Sequence, residues 1–283
     1  AEDIKIGHTV FAMPFALFAM ALAQAHTGAA LTWGKAGLIV ACMVLARTFA
    51  MSANRLVDAR LDAANPRTAG RAIPAGRLGR GVYAAALVAC GAGFVVAAAA
   101  FLRWGNPWPG ILAVPVLALL GAYPYLKRFT SLCHFYLGLA LAVAPACAWV
   151  AVSGRIDPPP LVMGVAVLLW TAGFDILYAT ADFEHDRRSG LHSVPARLGI
   201  GPALWVARAC HAASALALAA VGLTAPALGW AYLAAVGLAA AILVAEHRLV
   251  RASDLSRLGL AFFTLNGLVS LTVGVAGILD TVF

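Results

Sequence analysis

The sequence predicts an all-α fold: a polytopic membrane protein with nine transmembrane helices around a central cavity. Three observations point to it. The first is composition. Of 283 residues, 63% are hydrophobic and 11% charged, with a mean hydropathy of +0.89. An ordinary soluble domain is roughly 45–50% apolar and about 25% charged, and a soluble fold of this size has too little interior to hide the difference. The second is length: the apolar residues come in runs of about 20, which suit a hydrocarbon core of about 30 Å. The third is that charge gathers on one side of those runs. Together these exclude a soluble enzyme, a disordered chain and a nucleic-acid-binding domain that is basic all over. The alternating ten-residue segments of an outer-membrane barrel are not visible.

The runs fall at 8–30, 35–53, 80–101, 108–126, 131–153, 160–178, 202–222, 226–245 and 258–280. The breaks hold glycine, proline and charge, as helix ends should. Gly34 follows the first run, Arg103 and Pro107 the third, Lys127 and Arg128 the fourth, and Gly154 and Pro158 the fifth. Long charged stretches follow the second, sixth and eighth. The whole of 1–283 reads as one domain. The start, 1–7, lacks the charged region and cleavage site of a signal peptide. Cys42, Cys90, Cys133, Cys147 and Cys210 stand singly in apolar stretches and read as small buried hydrophobes rather than disulfide partners.

Placing Lys5 in the cytoplasm puts every one of the 20 Lys and Arg on that side except Lys35, Arg103 and Arg155. This predicts a cytoplasmic N-terminus and a C-terminus on the far side. The net charge of +8 is then a topology signal. The 12 Asp and Glu also lie on that side, except Asp157 and Asp280, and a basic anchor would not need them. Two cytoplasmic loops resemble each other: NRLVDARLDAANPRTAGRAIPAG at 54–76 and DFEHDRRSGLHSVPARLG at 182–199. Each carries Asp-x3-Asp, then Arg, Gly and a β-branched residue with Pro-Ala. Such repeats in membrane folds place sites where the two halves meet.

Asn54, Asp58 and Asp62, at i, i+4 and i+8, share one face of a helix leaving the second span. Asp175, Asp182 and Asp186, at i, i+7 and i+11, are expected on one face of a helix leaving the sixth. Stacked carboxylates repel by a few tenths of a kcal/mol, and desolvation near the membrane adds to this. Something positive must offset it, either arginines or a divalent cation. The donors are hard oxygens, which favours Mg²⁺ or Mn²⁺ over zinc. Two facing clusters could hold two Mg²⁺ around a diphosphate, with Arg67, Arg71, Lys127 and Arg128 on the same side. The alternative is solvated loop acids paired with arginines.

Asp175 sits at membrane depth, where an ionisable residue marks function or an ion pair with a neighbouring helix. Arg47, seven residues before Asn54 and on its face, would anchor a substrate anion or pair with Asp175. His8, His26, His134 and His211 read as isolated interfacial residues, while His185 and His192 lie in the second motif loop. Phe11, Phe15, Phe135, Tyr136, Trp170 and Phe174 are candidates to line a cavity for an apolar or cationic intermediate.

At these residues the sequence resembles the UbiA superfamily of intramembrane prenyltransferases. Asn54, Asp58 and Asp62 match its Asn-x3-Asp-x3-Asp after the second helix, and Asp182 and Asp186 its Asp-x3-Asp after the sixth. NPRTAGRAIPAG at 65–76 and YPYLKR at 123–128 are similar to it too. The resemblance implies Mg²⁺-dependent transfer of a polyprenyl group from polyprenyl diphosphate to an aromatic acceptor through an allylic carbocation. It implies that Asn54, Asp58, Asp182 and Asp186 hold the metal and diphosphate with Asp62 in support. Arg67, Arg71, Tyr123 and Lys127 would grip the diphosphate, Arg47 would face the acceptor carboxylate, and Asp175 would orient or deprotonate the phenol. HTVFAMPFAL at 8–17 and the 174–199 segment look most like the 4-hydroxybenzoate polyprenyltransferase branch, which includes the futalosine-route menaquinone enzymes with a dihydroxynaphthoate acceptor. The partners implied are the two substrates and the lipid bilayer, with no nucleic acid and no protein. The location implied is a bacterial inner membrane with the motif loops cytoplasmic. Two other classes stand beside this one: a cation transporter with an acidic ion path, and a membrane scaffold.

Overall fold

The computed structural model describes residues 9–252 and 254–283, the side chains from Phe11; Lys5, His8 and the 1–7 segment lie outside them. The described chain is helical, without strands. Helix α1 is Thr9–Thr27, α2 Trp33–Ala64, α3 Arg80–Ala99, α4 Trp108–Leu126, α5 Cys133–Ser153 and α6 Pro158–Ala179. Two short helices follow, α7 at Phe183–Arg188 and α8 at Val194–Leu198. Then come α9 at Ile200–Thr224, α10 at Trp230–Leu249, α11 at Leu258–Leu260 and α12 at Asn266–Val282. A π-helical turn, Ala261–Leu265, joins α11 to α12. Among the described residues eight helices are long and apolar enough to cross a membrane, and α1 adds a shorter apolar helix over Phe11–Thr27. The expectation of nine spans is thus met by length and composition for eight.

Proline and glycine set the ends as the sequence suggests. Prolines open α6 at its first turn, where a missing N–H has no helical partner to lose. Gly154 closes α5 in the left-handed conformation at φ +72°, which only glycine adopts at no steric cost. The second helix departs most from its apolar run. It continues for 32 residues, a full three turns past the run, and carries the first motif with it.

The helices form a bundle in which α6 packs between α5 and α9, α1 between α5 and α12, and α2 against α3 and α4. Close approach depends on small residues, as in membrane interfaces generally. A side chain at Gly138 of α5 would run into the Leu168 carbonyl of α6, and one at Gly277 of α12 into the Phe18 ring of α1. The main core joins Phe15, Phe18, Trp149, Trp170 and Tyr232. Large apolar side chains such as Val96, Leu216 and Leu223 face outward, where hydrocarbon replaces water as solvent. The α2–α4 side is the least buried within the bundle, because its inner face borders a cavity instead of a packed core.

Candidate active site

Two cavities meet inside the bundle. The larger, about 760 Å³, is bounded by apolar side chains including Ile39, Phe94, Phe101, Leu141, Phe174 and Phe262. Its lining on α2 runs from Ile39 to Arg55, about 24 Å at 1.5 Å per residue. The smaller, about 180 Å³, is polar and takes in both motif loops: Asn54, Asp58 and Asp62 on one side, Asp182 and Asp186 on the other, with Lys127 and His185. Asn54, Arg67, Arg71, Tyr123, Asp175 and Tyr178 line both. They form the neck between a charged antechamber and a greasy chamber. The two carboxylate groups therefore face one shared space.

In the antechamber three motif carboxylates, Asp58, Asp62 and Asp182, are held by cations. Asp58, 1% exposed, accepts from Lys127 Nζ at 2.7 Å, Arg128 Nη2 at 3.0 Å and Asn54 Nδ2 at 3.1 Å. Asp62 accepts from Arg71 Nη1 at 2.6 Å. Asp182 accepts from Asn65 Nδ2 and Arg67 Nε, both at 2.8 Å, and from Arg67 Nη2. Arg67 also donates to the Tyr178 hydroxyl at 2.7 Å and lies 4.8 Å from that ring's centre. Burial works against the Arg67 charge, but hydrogen bonding to Asp182 and its negative charge outweigh it, and the guanidinium titrates above the usual arginine value.

Asp58 is thus balanced by Lys127 and Arg128, Asp62 by Arg71 and Asp182 by Arg67, while Asp186 borders the same space. Among the described residues no three His, Cys, Asp or Glu side chains converge closely enough to cage a metal by themselves. The donor chemistry nonetheless suits Mg²⁺, which takes one or two carboxylates and fills its octahedron with water and phosphate oxygens. Asp62 supplies a specific sign: its Oδ2 is buried with no hydrogen-bond partner, and an unpaired carboxylate oxygen is expensive to leave so.

Several expectations need correction. Asp175, Asp182 and Asp186 do not share one continuous helical face. The sixth helix ends at Ala179, a 3₁₀ turn follows at Thr180–Asp182, and only then does α7 begin. The Thr180 hydroxyl donates to the Leu177 carbonyl at 2.6 Å, a side-chain bond that competes with the helix ladder. The turn re-aims Asp182, yet all three acids still border the antechamber. His134 and His211 are buried and hydrogen-bonded, not interfacial: His134 meets Asp175 at 2.7 Å, and His211 meets His247 at 3.0 Å. Phe11 and Phe174 line the greasy chamber, whereas Phe15 and Trp170 pack behind them. Tyr136 instead donates to the Leu119 carbonyl, and Phe135 packs on a second core near Val194. Cys133 and Cys210 are buried, but Cys42, Cys90 and Cys147 are only half-buried, and Cys42 and Cys147 border the chamber.

Three participants escaped sequence reasoning: Asn65, Tyr178 and His134. Asn65 follows the last helical residue of α2 and precedes Pro66, a helix-stop signal that also marks a side chain able to turn back. Tyr178 lies four residues before Asp182, the spacing that makes Asn54 notable. Nothing in the local sequence marks His134.

A model of the UbiA prenyltransferase family matches residues 12–268. The chain is 32% identical over 138 residues to the 4-hydroxybenzoate octaprenyltransferase of Neisseria meningitidis serogroup B, an alignment covering 49% of this chain and 45% of that one. It thus spans about half the length of the first curated relatives it matches. Among solved structures it is similar to a UbiA homolog from Aeropyrum pernix K1 (TM-score 0.85, 31% identity, 98% of each chain). A UbiA homolog from Archaeoglobus fulgidus, bound to DMAPP and Mg²⁺, shares the fold at TM-score 0.70 and 18% identity, over 99% of each chain.

Proposed function

The chain belongs to the UbiA prenyltransferase family, and from that premise we propose that it is a Mg²⁺-dependent aromatic prenyltransferase. It moves a polyprenyl group from polyprenyl diphosphate to the ring of a hydroxyaryl carboxylate, of the 4-hydroxybenzoate or dihydroxynaphthoate type, in ubiquinone or menaquinone biosynthesis. The observation that carries this reading is the junction of a charged antechamber with a greasy chamber across one polar neck. A prenyl diphosphate has the same two-part chemistry, and the bond to be broken joins its two parts. The name of the Neisseria relative and the ligands of the Archaeoglobus structure support the substrate classes.

The roles follow from position. The cations that balance the carboxylates in the antechamber, Lys127, Arg128, Arg67 and Arg71, turn to the phosphate oxygens, with Tyr123 beside them. Asn54, Asp58, Asp62, Asp182 and Asp186 hold Mg²⁺, which when bound offsets the charge that builds on the departing diphosphate. The greasy chamber keeps water from the allylic cation, and the faces of Phe174 and Phe262 stabilise it through their π-electrons. Arg47, on the chamber side, holds the acceptor carboxylate. Asp175, at the neck, orients the acceptor hydroxyl and takes its proton as the ring attacks. The protein sits in a bacterial cell membrane with the antechamber toward the cytoplasm. A transporter would need a polar path onward, and among the described residues the far end of the chamber is bounded by Ile39, Ala98, Phe101 and Pro109.

The test is direct. Purified protein with Mg²⁺, a range of polyprenyl diphosphates and a panel of hydroxyaryl carboxylates should yield a ring-prenylated product and diphosphate by mass spectrometry. Absence of product from every pair, with ion flux in proteoliposomes, would overturn the reading.

A further inference from the structure

We propose that His134 is a positioning residue for Asp175, fixing its carboxylate at the neck by a single directed hydrogen bond. The inference rests on the function proposed above and adds to it a residue that no motif marks. Two contacts define the imidazole. Its Nε2 lies 3.1 Å from the Val194 backbone N–H. A backbone amide only donates, so Nε2 must be the bare acceptor nitrogen. The neutral ring then carries its proton on Nδ1, and Nδ1 lies 2.7 Å from Asp175 Oδ2. The histidine therefore donates its Nδ1–H to Asp175 Oδ2.

Burial makes the arrangement rigid. The His134 side chain is 4% exposed and that of Asp175 20%, so the donor is locked in packing while the acceptor still reaches the cavities. Asp175 borders both cavities; His134 borders only the antechamber. The ring comes from α5 and the carboxylate from α6, whose backbones are in close contact at Gly138, one helical turn from His134. A base must be held within a fraction of an ångström of its proton, and misplacing it by about 1 Å costs about 100-fold. The bond from His134 removes one degree of freedom from the carboxylate and leaves its other oxygen for the acceptor.

The same ring also satisfies the first N–H of α8, so a purely structural role must be separated from the positioning role. Two substitutions do this. His134→Asn places an amide N–H near the Nδ1 position and keeps the bond to Asp175. His134→Gln places an amide oxygen near the Nε2 position and keeps the bond from Val194. The expected result is that His134→Asn retains kcat within about threefold, whereas His134→Gln lowers it by about 30- to 100-fold, with the KM for the prenyl donor unchanged. In an Asp175→Asn background, His134→Gln should add no further loss, because the histidine acts through the carboxylate. The reverse order, with His134→Gln active and His134→Asn impaired, overturns the inference, as does additivity with Asp175→Asn. Thermal unfolding in detergent reports separately on α8 and on any failure to fold. An inactive wild-type protein would instead sink the proposed function itself.

Discussion

The two acidic arms of the antechamber have similar sequences and different structures. The first rides on α2, an unbroken helix in which Asn54, Asp58 and Asp62 keep their spacing as a single face and Asp58 and Asp62 are 1% and 5% exposed. The second is interrupted at Thr180–Asp182 and continues in α7, a helix of six residues with no buried member. Its key acid, Asp182, is positioned largely by Asn65 and Arg67, which belong to the loop that follows the first arm. One arm is therefore a rigid wall set by helix packing. The other is a jaw whose place is set by the wall's own loop. A site that must admit a diphosphate with its counter-ions and then release it has reason to fix one side and leave the other adjustable.

The largest expected effects come from removing one acid of each arm. Asp58→Ala and Asp182→Ala should each abolish turnover. Their structural consequences should differ. Asp58→Ala leaves Lys127 and Arg128 side by side without their shared anion, and breaking a buried pair costs about 3 kcal/mol or more. Lys127 and Arg128 are each about a quarter to a third exposed, so water returns part of that, and about 2 kcal/mol is the expectation. Asp182 is itself more open than Asp58, 15% against 2% for the side chains, and its loss should cost about 1 kcal/mol or less. Thermal unfolding in detergent measures both, and equal destabilisation would erase the distinction between wall and jaw. Near-normal turnover in both variants would refute their role.

Arg67→Met tests the jaw's tether. It removes both hydrogen bonds from the guanidinium to Asp182 and the bond to Tyr178, with little change in core packing. The second arm should lose its position, and turnover should fall by about 100-fold, as expected for a misplaced catalytic group. Arg71→Met, which removes the bond to the already fixed Asp62, should act mainly on the KM for the prenyl donor. Steady-state kinetics with each substrate varied in turn separates the two, and identical profiles would show that neither arm depends on the other's loop.

How much of this was legible beforehand divides along the same line. The first arm could be read because its geometry is local: an unbroken helix converts spacing into a face, and nothing in the tertiary structure overrides it. The second arm could not, because no glycine or proline lies between Asp175 and Arg188. Its break arises from the Thr180 back-bond and from the pull of Asn65 and Arg67, both invisible to periodicity. The helix bounds were readable from apolar runs, except where α2 leaves the apolar zone. The pairing of Asp175 with His134 was hidden for a related reason: a contact between two helices forty-one residues apart leaves no local trace.

A smaller effect separates the arms from the chamber between them. Arg47 borders the greasy chamber, and is absent from the lining of the antechamber. Arg47→Ala should raise the KM of the acceptor by about tenfold, the loss of one charge-assisted hydrogen bond of about 1.5 kcal/mol, and leave that of the prenyl donor nearly unchanged. Equal changes in both would move Arg47 into the diphosphate grip and blur the division between the two chambers.

The smallest effects should come from two glycines that turn the chain after each arm. Gly76 and Gly190 have φ of +69° and +65°, with open space where a Cβ would go. Alanine at either costs about 1–2 kcal/mol of backbone strain and no clash. The strain should travel differently. Around Gly76 the Ala72 carbonyl accepts from the Arg77 and Leu78 amides, and the Arg77 guanidinium returns to the Gly70 carbonyl. This loop is tied into the wall, so Gly76→Ala should lower the unfolding midpoint of the whole protein by a few degrees. Gly190 follows a six-residue helix that can fray, and a local opening relieves strain without global unfolding. Gly190→Ala should leave the midpoint almost unchanged and show itself as faster amide exchange across 183–191 and a modest rise in the KM for the prenyl donor. If instead Gly190→Ala lowers the midpoint as far as Gly76→Ala does, the second arm is as firmly built as the first, and the adjustable jaw is a misreading of its exposure.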